Sequence, residues 1–394
     1  MRKSTFDIQL FIAFLIVMVV GVAFVYSASY PSALATSNDD LKILNRQLMA
    51  IGFGAILMLA ARFVPLLWLR KGAQWIMLGG FLVLGGVLAW GNSIGGNKAW
   101  LLGGQPSEFV KILLINVMAA CITAHPVSIR GDVNFFSWIT KPFGYLGITM
   151  LLIAFQKDLG TMIIIALTGG VLLVLSGMKF RHLAKPLAFV AALVLFAIVL
   201  SPAVVHKYAG QRGDRIIAWL HPFDNKMPPE VKTAAYQPEN SLVAIGSGQL
   251  FGVGFCQSRQ KWLYLPEPQN DYIFSIMSEE LGFLFIIPLF FLPYLWMLFR
   301  GYFIAKNSPD EFSATLAFGI VILLATQATV NIAVAMNLLP CMGVTLPLIS
   351  SGGSSIMSSM IMIGLLLNIS SPYTFDFTWF ERFKWFRKRK RVIT

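Results

Sequence analysis

Apolar residues in this chain fall into long runs that are separated by short polar segments. Ten runs can be distinguished, at residues 8–27, 47–67, 73–91, 107–124, 143–156, 159–177, 184–205, 272–299, 312–336 and 346–369. Most approach the ~20 residues that an α-helix needs to cross a bilayer. Polar and apolar residues do not alternate within them, which argues against a transmembrane β-barrel. The pattern predicts an all-α polytopic membrane protein with about ten transmembrane helices, and the short fifth run has a re-entrant segment as its alternative.

The composition agrees with this class of protein. The chain has 394 residues, of which 57% are hydrophobic and only 12% are charged, and its mean hydropathy is +0.71. A soluble domain carries about 25% charged residues. The first run is too long for the apolar core of a signal peptide, so we interpret it as a signal-anchor helix. The three cysteines are far apart, and their spacing indicates neither a disulfide framework nor a metal site.

The net charge of +13 would suggest nucleic acid as the partner of a soluble protein. In a membrane protein, an excess of Lys and Arg instead marks the cytoplasmic loops. Basic residues concentrate in the segments that lie inside if the N-terminus is inside, and in the C-terminal tail. We therefore expect a multi-pass membrane protein with both termini in the cytoplasm, and we expect no nucleic-acid partner.

The chain divides into one membrane domain and a tail. Residues 1–370 form the predicted transmembrane domain, and within it residues 206–270 form a long extracytoplasmic loop between the seventh and eighth helices. Loops of this length are usually functional or disordered. The tail, residues 371–394, interleaves aromatic and basic residues, which is typical of an interfacial anchor on anionic lipid. Docking of a protein partner is the alternative for the tail.

The polar stretch from Cys256 to Gly282 ends the long loop and leads into the eighth run. It contains a proline-stiffened Leu-Pro-Glu-Pro segment, then Asp271 at the predicted membrane edge. Such a carboxylate is either the N-cap of the following helix or a catalytic group acting on a lipid-linked substrate. Glu279 and Glu280 follow, about 12 Å deeper at 1.5 Å per residue. At that depth they must be paired, protonated or facing a cavity.

Ionisable residues inside predicted helices are costly and therefore suggest function. Glu108 and Lys111 lie three residues apart on one face of the fourth helix, where they form either a neutralising salt bridge or a polar cavity in which Lys111 meets a phosphate. Asp158 opens the sixth helix as an N-cap or as a site residue. Arg46 stands just before the second helix. The Gly/Ser stretch from Ser350 to Ser355 can present backbone N–H groups to a phosphate at a helix N-terminus, although small residues also ease helix packing.

Four segments in this order resemble the FtsW/RodA/SpoVE (SEDS) family. They are NKAWLLGGQPSEFVKI at 97–112, QKDLGT at 156–161, the run from 241 to 282 that contains SRQKWLYLPEPQND, and NIAVAMNLLPCMGVTLPLISSGGSS at 331–355. Within the family the likeness is greatest to FtsW, the division member, because of SRQKWLYLPEPQ and Val344-Thr345-Leu346-Pro347. The chain departs from the family pattern at Lys98-Ala99-Trp100, at Ser351 and at Asn337.

The resemblance implies a peptidoglycan glycosyltransferase that polymerises lipid II into glycan strands during septal wall synthesis and releases undecaprenyl pyrophosphate. It implies that Asp271 is the essential acid. It also implies a monofunctional class B penicillin-binding protein (a transpeptidase) and other divisome proteins as partners, beside membrane lipids and the growing strand. The elongation and sporulation members of the family remain alternatives.

Leaving pyrophosphate requires positive charge, and the sequence offers several sources without ranking them. A divalent cation, Mg²⁺ or Mn²⁺, is a further candidate. The residues that we predict to contact lipid II or pyrophosphate are Arg46, Glu108, Lys111, Asp158, Arg212, Arg215, Lys261, Glu267, Ser350, Gly352, Gly353 and Ser354.

Two other classes of function compete with glycosyl transfer. In a lipid II flippase, Glu279, Glu280 and the Glu108–Lys111 pair would line a polar path. In a scaffold protein, the basic aromatic tail alone would recruit partners.

Overall fold

The structure, a computed structural model, describes residues 6–37, 41–94, 97–101, 103–124, 142–175, 211–224 and 228–371. The predicted seventh helix (184–205) and the tail (372–394) lie outside these residues. The helices are α1 Ile8–Ser37, α2 Lys42–Phe63, α3 Leu66–Trp90, α4 Ser107–Ala124, α5 Pro142–Phe155, α6 Leu159–Leu175, α7 Gln211–Leu220, α8 Pro229–Gly248, α9 Ile273–Ile286, α10 Leu292–Lys306, α11 Glu311–Ala335 and α12 Gly353–Ser370. A two-stranded antiparallel hairpin, β1 Asn92–Ile94 and β2 Asn97–Trp100, follows α3.

The predicted transmembrane helices are confirmed wherever the structure describes them. Seven helical segments of the described residues are long and apolar enough to cross a membrane, and α5 and α6 are shorter apolar helices. Several predicted boundaries were wrong by five residues or more. Helix α2 begins at Lys42 rather than at 47, α3 begins at Leu66 rather than at 73, and the predicted eighth helix ends at Lys306 rather than at 299. Helix α1 continues ten residues past 27, to Ser37. Helix α12 begins at Gly353 rather than at 346, because residues 346–352 form a turn in which Ser350 Oγ accepts a hydrogen bond from the N–H of Leu346 at 2.7 Å.

The long loop is more regular than its composition indicates. Its described part contains α7 and α8, and α8 packs closely along α9. The two serines Ser241 and Ser275 share a buried hydrogen bond of 2.6 Å, and a Cβ at Gly248 would lie only 2.1 Å from the carbonyl oxygen of Ser278. Residue numbers rise in the same direction along both helices at this contact, from Ser241 and Ser275 to Gly248 and Ser278. Helices α8 and α9 are therefore parallel.

A break at Gly282 separates α9 into two parts. Gly282 has φ 66° and ψ 176°, which is not helical, and the left-handed value suits glycine. A Cβ there would lie 2.2 Å from the backbone nitrogen of Gly252. The chain at 249–254 pairs with the backbone around the break, because Val253 N–H donates to Glu279 C=O and Phe283 N–H donates to Gln249 C=O, both at 2.9 Å. A π-helical turn at Ile287–Phe291 then leads into α10.

Two polar contacts between α1 and the α9–α10 segment mark opposite ends of the bundle. Arg300 forms an ion pair with Asp7 at one end, and Ser27 Oγ donates to Glu280 at 2.6 Å at the other. Asp7 and Ser27 are 20 residues apart in the sequence, and so are Glu280 and Arg300. Twenty residues of helix span about 30 Å at 1.5 Å per residue. That length equals the hydrocarbon thickness of a bilayer. We call these the Asp7 end and the Glu280 end of the membrane domain.

Helices α2 and α12 form the tightest helix pair. They run in parallel, from a hydrogen bond between Gln47 Nε2 and the carbonyl oxygen of Ser350 (3.3 Å) to one between Asn368 Nδ2 and the carbonyl oxygen of Ala61 (3.0 Å). Glycine permits the close approach, because a Cβ at Gly364 would lie 2.3 Å from the carbonyl oxygen of Met58. This packing carries the segment before α12 against the start of α2.

Candidate active site

Asp271 lies half-buried between the long loop and α9. It does not cap the helix: Tyr272 is the residue before the first helical position, and no side chain caps that end. Among the described residues, the Asp271 carboxylate has no hydrogen-bond or ion-pair partner. Its Oδ2 instead faces Gly343, where a Cβ would approach to 3.3 Å. The carboxylate is therefore not used by the local structure.

Three successive carbonyl groups hold the backbone of Asp271 in place. The N–H of Ser351 donates to Gln269 C=O at 2.8 Å, and Ser350 Oγ donates to Asn270 C=O at 2.6 Å. Asn331 Nδ2 donates to Asp271 C=O at 2.8 Å. Asn331 Nδ2 also donates to Val344 C=O at 2.7 Å, so it joins the Asp271 backbone to the segment next to the carboxylate.

The environment of Asp271 raises its pKa to about 7. Burial is the largest cause, because it disfavours the charged form. The negative charges of Glu267 and Asp158 raise the pKa further, and the positive charge of Arg215 lowers it. A carboxyl group ordinarily titrates near 4. A pKa near neutrality is what a general base that works at physiological pH requires.

Helix α7 brings Arg215 into range of this carboxylate, as the prediction of a loop arginine at the site requires. The helix is tied to the end of α11 by a reciprocal pair, in which Trp219 Nε1 donates to Asn337 C=O at 2.9 Å and Asn337 Nδ2 donates to Trp219 C=O at 3.1 Å. Asn337 has φ 54°, a left-handed conformation that asparagine tolerates better than most residues. Arg212 lies on the same helix, but its side chain is outside the described part.

Asp158 belongs to a second polar group near Asp271. It caps α6 as predicted, because Oδ1 accepts from the N–H of Thr161 at 3.0 Å. Gln105 Nε2 donates to Asp158 Oδ2 at 2.9 Å, and the N–H of Gln105 donates to Ser354 Oγ at 2.9 Å. Burial raises the pKa of Asp158, although the bonds from Thr161 oppose that shift. The group connects three of the segments on which the family resemblance was based.

The Glu108–Lys111 pair is a buried salt bridge, with Lys111 Nζ 2.8 Å from Glu108 Oε1. Lys111 Nζ also donates to Gln327 Oε1 at 2.9 Å. Gln327 Nε2 in turn donates to Thr345 C=O at 3.2 Å, and Thr345 Oγ1 shares a 2.7 Å hydrogen bond with Ser355 Oγ. The lysine is thus engaged inside the protein and supports the segment that faces Asp271.

Glu279 and Glu280 organise the loop rather than line a path. Glu280 accepts hydrogen bonds from Lys261 Nζ (2.9 Å) and the N–H of Cys256 (3.0 Å) as well as from Ser27. Glu279 accepts from Ser258 Oγ and from the N–H of Arg259 at 2.9 Å. Both acids are paired, which is one of the three alternatives predicted for charged groups at that depth. Their partners give no support to a polar transport path.

The remaining predicted contact residues differ in accessibility. Lys261 is 2% exposed and its ammonium group is taken up by Glu280 and Ser27. Arg46 is exposed within α2, not before it, and Glu267 is exposed on the loop. Gly352 and Gly353 begin α12, half-buried. Ser350 and Ser354 have the internal partners already described. Of the predicted contact residues whose side chains are described, Arg46 and Glu267 are thus exposed and Arg215 is half-buried.

Sequence reasoning missed the amide side chains that join these groups. Asn331 and Gln327 lie buried in α11, and Gln105 precedes α4. A buried amide in a transmembrane helix is itself a signal, because its polar atoms need partners in a medium without water. A further missed chain runs from Tyr272 OH to Cys341 Sγ (3.1 Å) and on to Gln237 Oε1 (3.3 Å).

Within the described residues, no group of three or more His, Cys, Asp and Glu side chains is arranged to hold a metal ion. A divalent cation would have to complete its ligands with oxygen atoms of the substrate. Mg²⁺ is often bound in this way, by one or two carboxylates together with substrate phosphates.

These features define a polytopic membrane protein with a half-buried carboxylate that has no partner among the described residues and lies within range of the positive charge of Arg215. The chain belongs to the FtsW/RodA/SpoVE family, because the family model described as "Cell cycle protein" matches residues 8–374. Stage V sporulation protein E of Bacillus subtilis is 34% identical over 377 residues, covering 94% of this chain and 98% of the relative. A protein of Hydrogenovibrio crunogenus named "Probable peptidoglycan glycosyltransferase FtsW" is 31% identical over 376 residues, covering 93% and 92%.

Solved structures share the fold. A chain described under "Structural coordination of polymerization and crosslinking by a peptidoglycan synthase complex" superposes with a TM-score of 0.73 at 24% identity, covering 93% of this chain and 98% of the other. The rod shape determining protein RodA of Thermus thermophilus superposes with a TM-score of 0.65 at 23% identity, covering 94% and 98%. The predicted all-α polytopic fold and the family resemblance are confirmed.

Proposed function

We propose that this protein is a peptidoglycan glycosyltransferase that polymerises lipid II during septal wall synthesis, with Asp271 as its general base. The role of Asp271 is supported by the difference between its backbone, which is fixed by hydrogen bonds, and its carboxylate, which is not. The backbone carbonyl groups of residues 269–271 accept three hydrogen bonds, whereas the Asp271 carboxylate, which is half-buried and has a pKa of about 7, has no partner within the described part of the chain. The names of the FtsW relatives support the reaction class.

The reaction joins two sugars and releases a lipid pyrophosphate. The acceptor hydroxyl oxygen forms a bond to the anomeric carbon of the donor, and its proton passes to the Asp271 carboxylate. The bond between that carbon and the pyrophosphate oxygen breaks, and the pyrophosphate leaves with the electron pair. General-base catalysis of this kind contributes a rate factor of about 10²–10⁴.

Arg215 is the best placed cation for the leaving pyrophosphate, because its charge already acts on Asp271. Arg46 and Arg212 are the further candidates among the predicted residues. Lys111 and Lys261 are used internally, and we assign them to support of the site. A divalent cation, Mg²⁺ or Mn²⁺, would bind together with the substrate pyrophosphate and supply Lewis-acid neutralisation of its charge.

We place the Asp7 end in the cytoplasm of a bacterial cell and Asp271 outside the plasma membrane. The helix ends and connections near the Asp7 end carry Arg62, Arg70, Lys71, Arg300 and Lys306, and basic residues favour the cytoplasmic side. Both termini are then cytoplasmic. A class B penicillin-binding protein and other divisome proteins are the proposed partners, since one structural neighbour comes from a complex described as coordinating polymerization and crosslinking. Location at the division septum follows the FtsW likeness, with elongation and sporulation roles as alternatives.

The substitution Asp271→Asn tests the proposal, because it removes the base but keeps the shape of the side chain. We expect purified Asp271→Asn, with its transpeptidase partner and divalent cation present, to form no glycan polymer from fluorescent lipid II. The wild-type protein should form polymer under the same conditions.

Asp310→Asn is the matched control. Asp310 is exposed and caps α11 by accepting from the N–H of Ser313 at 3.0 Å, and asparagine caps helices about equally well. This variant should polymerise at the wild-type rate. Polymer from Asp271→Asn would remove Asp271 from the role of base, and no polymer from any of the three proteins would instead argue against the glycosyltransferase.

A further inference from the structure

Six large apolar side chains are exposed on a segment that the sequence assigns to the polar extracytoplasmic loop. They are Leu250, Phe251, Phe255, Trp262, Leu263 and Tyr264, and between 51% and 68% of each residue is exposed. We call them the apolar loop surface. A loop in water would be expected to turn such side chains inward, because contiguous exposed apolar surface marks a contact with something else.

Part of the polar side of the same segment points inward, whereas the side chains of Gln257 and Arg259 are exposed. Lys261 is buried against Glu280 and Ser27, and Ser258 bonds to Glu279. The backbone N–H groups of Cys256 and Arg259 also point inward, to these two carboxylates. The segment therefore buries Lys261, Ser258 and several backbone N–H groups while it exposes six large apolar side chains, and of its charged side chains only that of Arg259 is exposed.

The backbone of the segment is held in costly conformations to achieve this. Cys256 and Leu263 have φ values of 62° and 67°, in a left-handed region that non-glycine residues rarely occupy. Such strain persists only where the surrounding structure determines it, and it is common at functional surfaces. Here the N–H of Cys256 donates to Glu280, and the N–H of Leu263 donates to the carbonyl oxygen of Lys261 at 2.9 Å.

The apolar loop surface packs against α1 and adjoins an exposed apolar side chain of α9. The Phe255 ring packs edge-on against Phe24 of α1 at 5.5 Å, and the Trp262 ring against Tyr30 at 6.3 Å. Below the turn, Leu250 C=O accepts a hydrogen bond from Leu284, whose side chain is also exposed. The same lipid that covers α1 and α9 therefore reaches the loop.

The depth of the surface matches the boundary between hydrocarbon and lipid headgroups. The contact between Ser27 and Glu280 lies about 30 Å along α1 from Asp7, one hydrocarbon thickness away. The loop is bonded to Glu279 and Glu280 at that level. Trp and Tyr are the residues that prefer this interface.

We propose that the apolar loop surface inserts into the lipid leaflet at the Glu280 end and holds the loop that leads to Asp271 at a fixed depth in the membrane. The occupant is the bilayer itself, not a protein. The inference needs only that the protein spans a membrane, so it stands whether or not the proposed chemistry is correct.

Spin labels on the full-length protein in liposomes test this insertion. Single cysteines replace Leu263 and Tyr264 in a Cys256→Ser, Cys341→Ser background, in which buried Cys121 is retained and checked for labelling. Collisions with oxygen, which concentrates in lipid, are compared with collisions with a neutral nickel chelate, which stays in water. We expect the ratio of oxygen to nickel collisions to be several-fold higher at 263 and 264 than at a water-exposed position.

Glu267→Cys supplies that water-exposed position. Glu267 lies four residues from Leu263, is also exposed and also has a left-handed φ, of 45°. Leu295→Cys, on the exposed side of α10, is the lipid reference. Nickel collisions at 263 and 264 equal to those at 267 would show that the surface faces water. Suppression of both collisions at 263 and 264 would show that protein covers it, and either result overturns the proposal.

Discussion

At the level of single residues, the site separates the placement of Asp271 from its reactivity. Placement comes from the donors Ser350, Ser351 and Asn331, which bind backbone carbonyl groups only. Reactivity comes from burial and from three charges, two negative and one positive. Substitution of a neighbouring charge should therefore change the titration of the carboxylate without moving it.

The first prediction concerns the pH dependence of kcat/KM for lipid II polymerisation. A base must be deprotonated, so the rate should rise with pH through about 7. Glu267→Gln removes a negative neighbour and should move this rise to lower pH. Arg215→Gln removes a positive neighbour and should move it to higher pH, whatever it does to KM. Three coincident profiles would contradict the assignment.

The second prediction concerns stability. The pKa of Asp271 is raised in the folded protein, so the folded state holds this proton more tightly than the unfolded state. Its contribution to stability is complete below an ordinary carboxyl pKa of about 4 and is lost as pH rises through about 7. From pH 5 to pH 8, the apparent Tm of the wild type should fall relative to that of Asp271→Asn. A constant difference between the two proteins would argue against a raised pKa.

Asp271 could be singled out from the sequence because it stands alone between a polar stretch and an apolar run. The residues that position it could not. Asn331 lies 60 positions away and Ser350 lies 80 from its partner Asn270, and local pattern does not report contacts at such separations. The buried amides were visible in the apolar runs but had no identifiable partner.

At the level of helices, α4 connects to the site through a buried ion pair. The side chains of Lys111 and Glu108 are 1% and 7% exposed. Lys111 reaches Thr345 through Gln327, so it supports the segment that contains Gly343. This support can be distinguished from direct contact with pyrophosphate.

The third prediction compares Lys111→Met with the double substitution Glu108→Gln/Lys111→Met. Loss of the lysine alone leaves a buried carboxylate unpaired and should destabilise the protein by about 3–5 kcal/mol. The double variant leaves no charge behind and should regain most of the Tm and of the polymerase activity. A double variant that is stable but inactive would instead place Lys111 on the substrate.

Apolar runs identify the helices that cross the membrane but not where their ends lie. Helix α1 continues past its apolar run, through residues 28–37. Helix α12 begins at Gly353, inside its apolar run, because the preceding turn is bonded to Asn270 and Gln47. The polar composition of residues 211–248 hid α7 and α8, whose partners lie elsewhere in the chain.

At the level of the whole molecule, the α2–α12 pair connects the two ends of the membrane domain. At one end, Gln47 bonds to Ser350 beside the site, and at the other, Asn368 bonds to Ala61. Between them, Gly364 allows the helices to touch. If these helices move apart, the position of Ser350 beside Asp271 should therefore change.

The fourth prediction is that Gly364→Ala lowers the apparent Tm and slows polymerisation. The added methyl group would meet the carbonyl oxygen of Met58 at 2.3 Å, and overpacking of this kind costs about 1–3 kcal/mol. Gly79→Ala in α3 is the control, because a Cβ there has no neighbour within 4 Å. Equal Tm values for both variants would show that α2 and α12 can move apart without cost.

The fold class followed from hydropathy and the family from four short segments, because both depend on features that are local in sequence. The contact of the chain at Gly252 with the helix break at Gly282 could not be predicted from the sequence. Two glycines with left-handed φ meet there through backbone atoms, and neither side-chain pattern nor charge marks such a contact.

The three hydrogen bonds to the backbone carbonyl groups of residues 269–271 also make the protein suitable for trapping a substrate complex. Since none of them involves the carboxylate, a variant without the base should keep the arrangement that receives both sugars. Asp271→Asn in lipid nanodiscs with lipid II should then accumulate donor and acceptor side by side. That stalled complex is the one in which the positions of the two sugars, and the order in which they bind, can be seen directly.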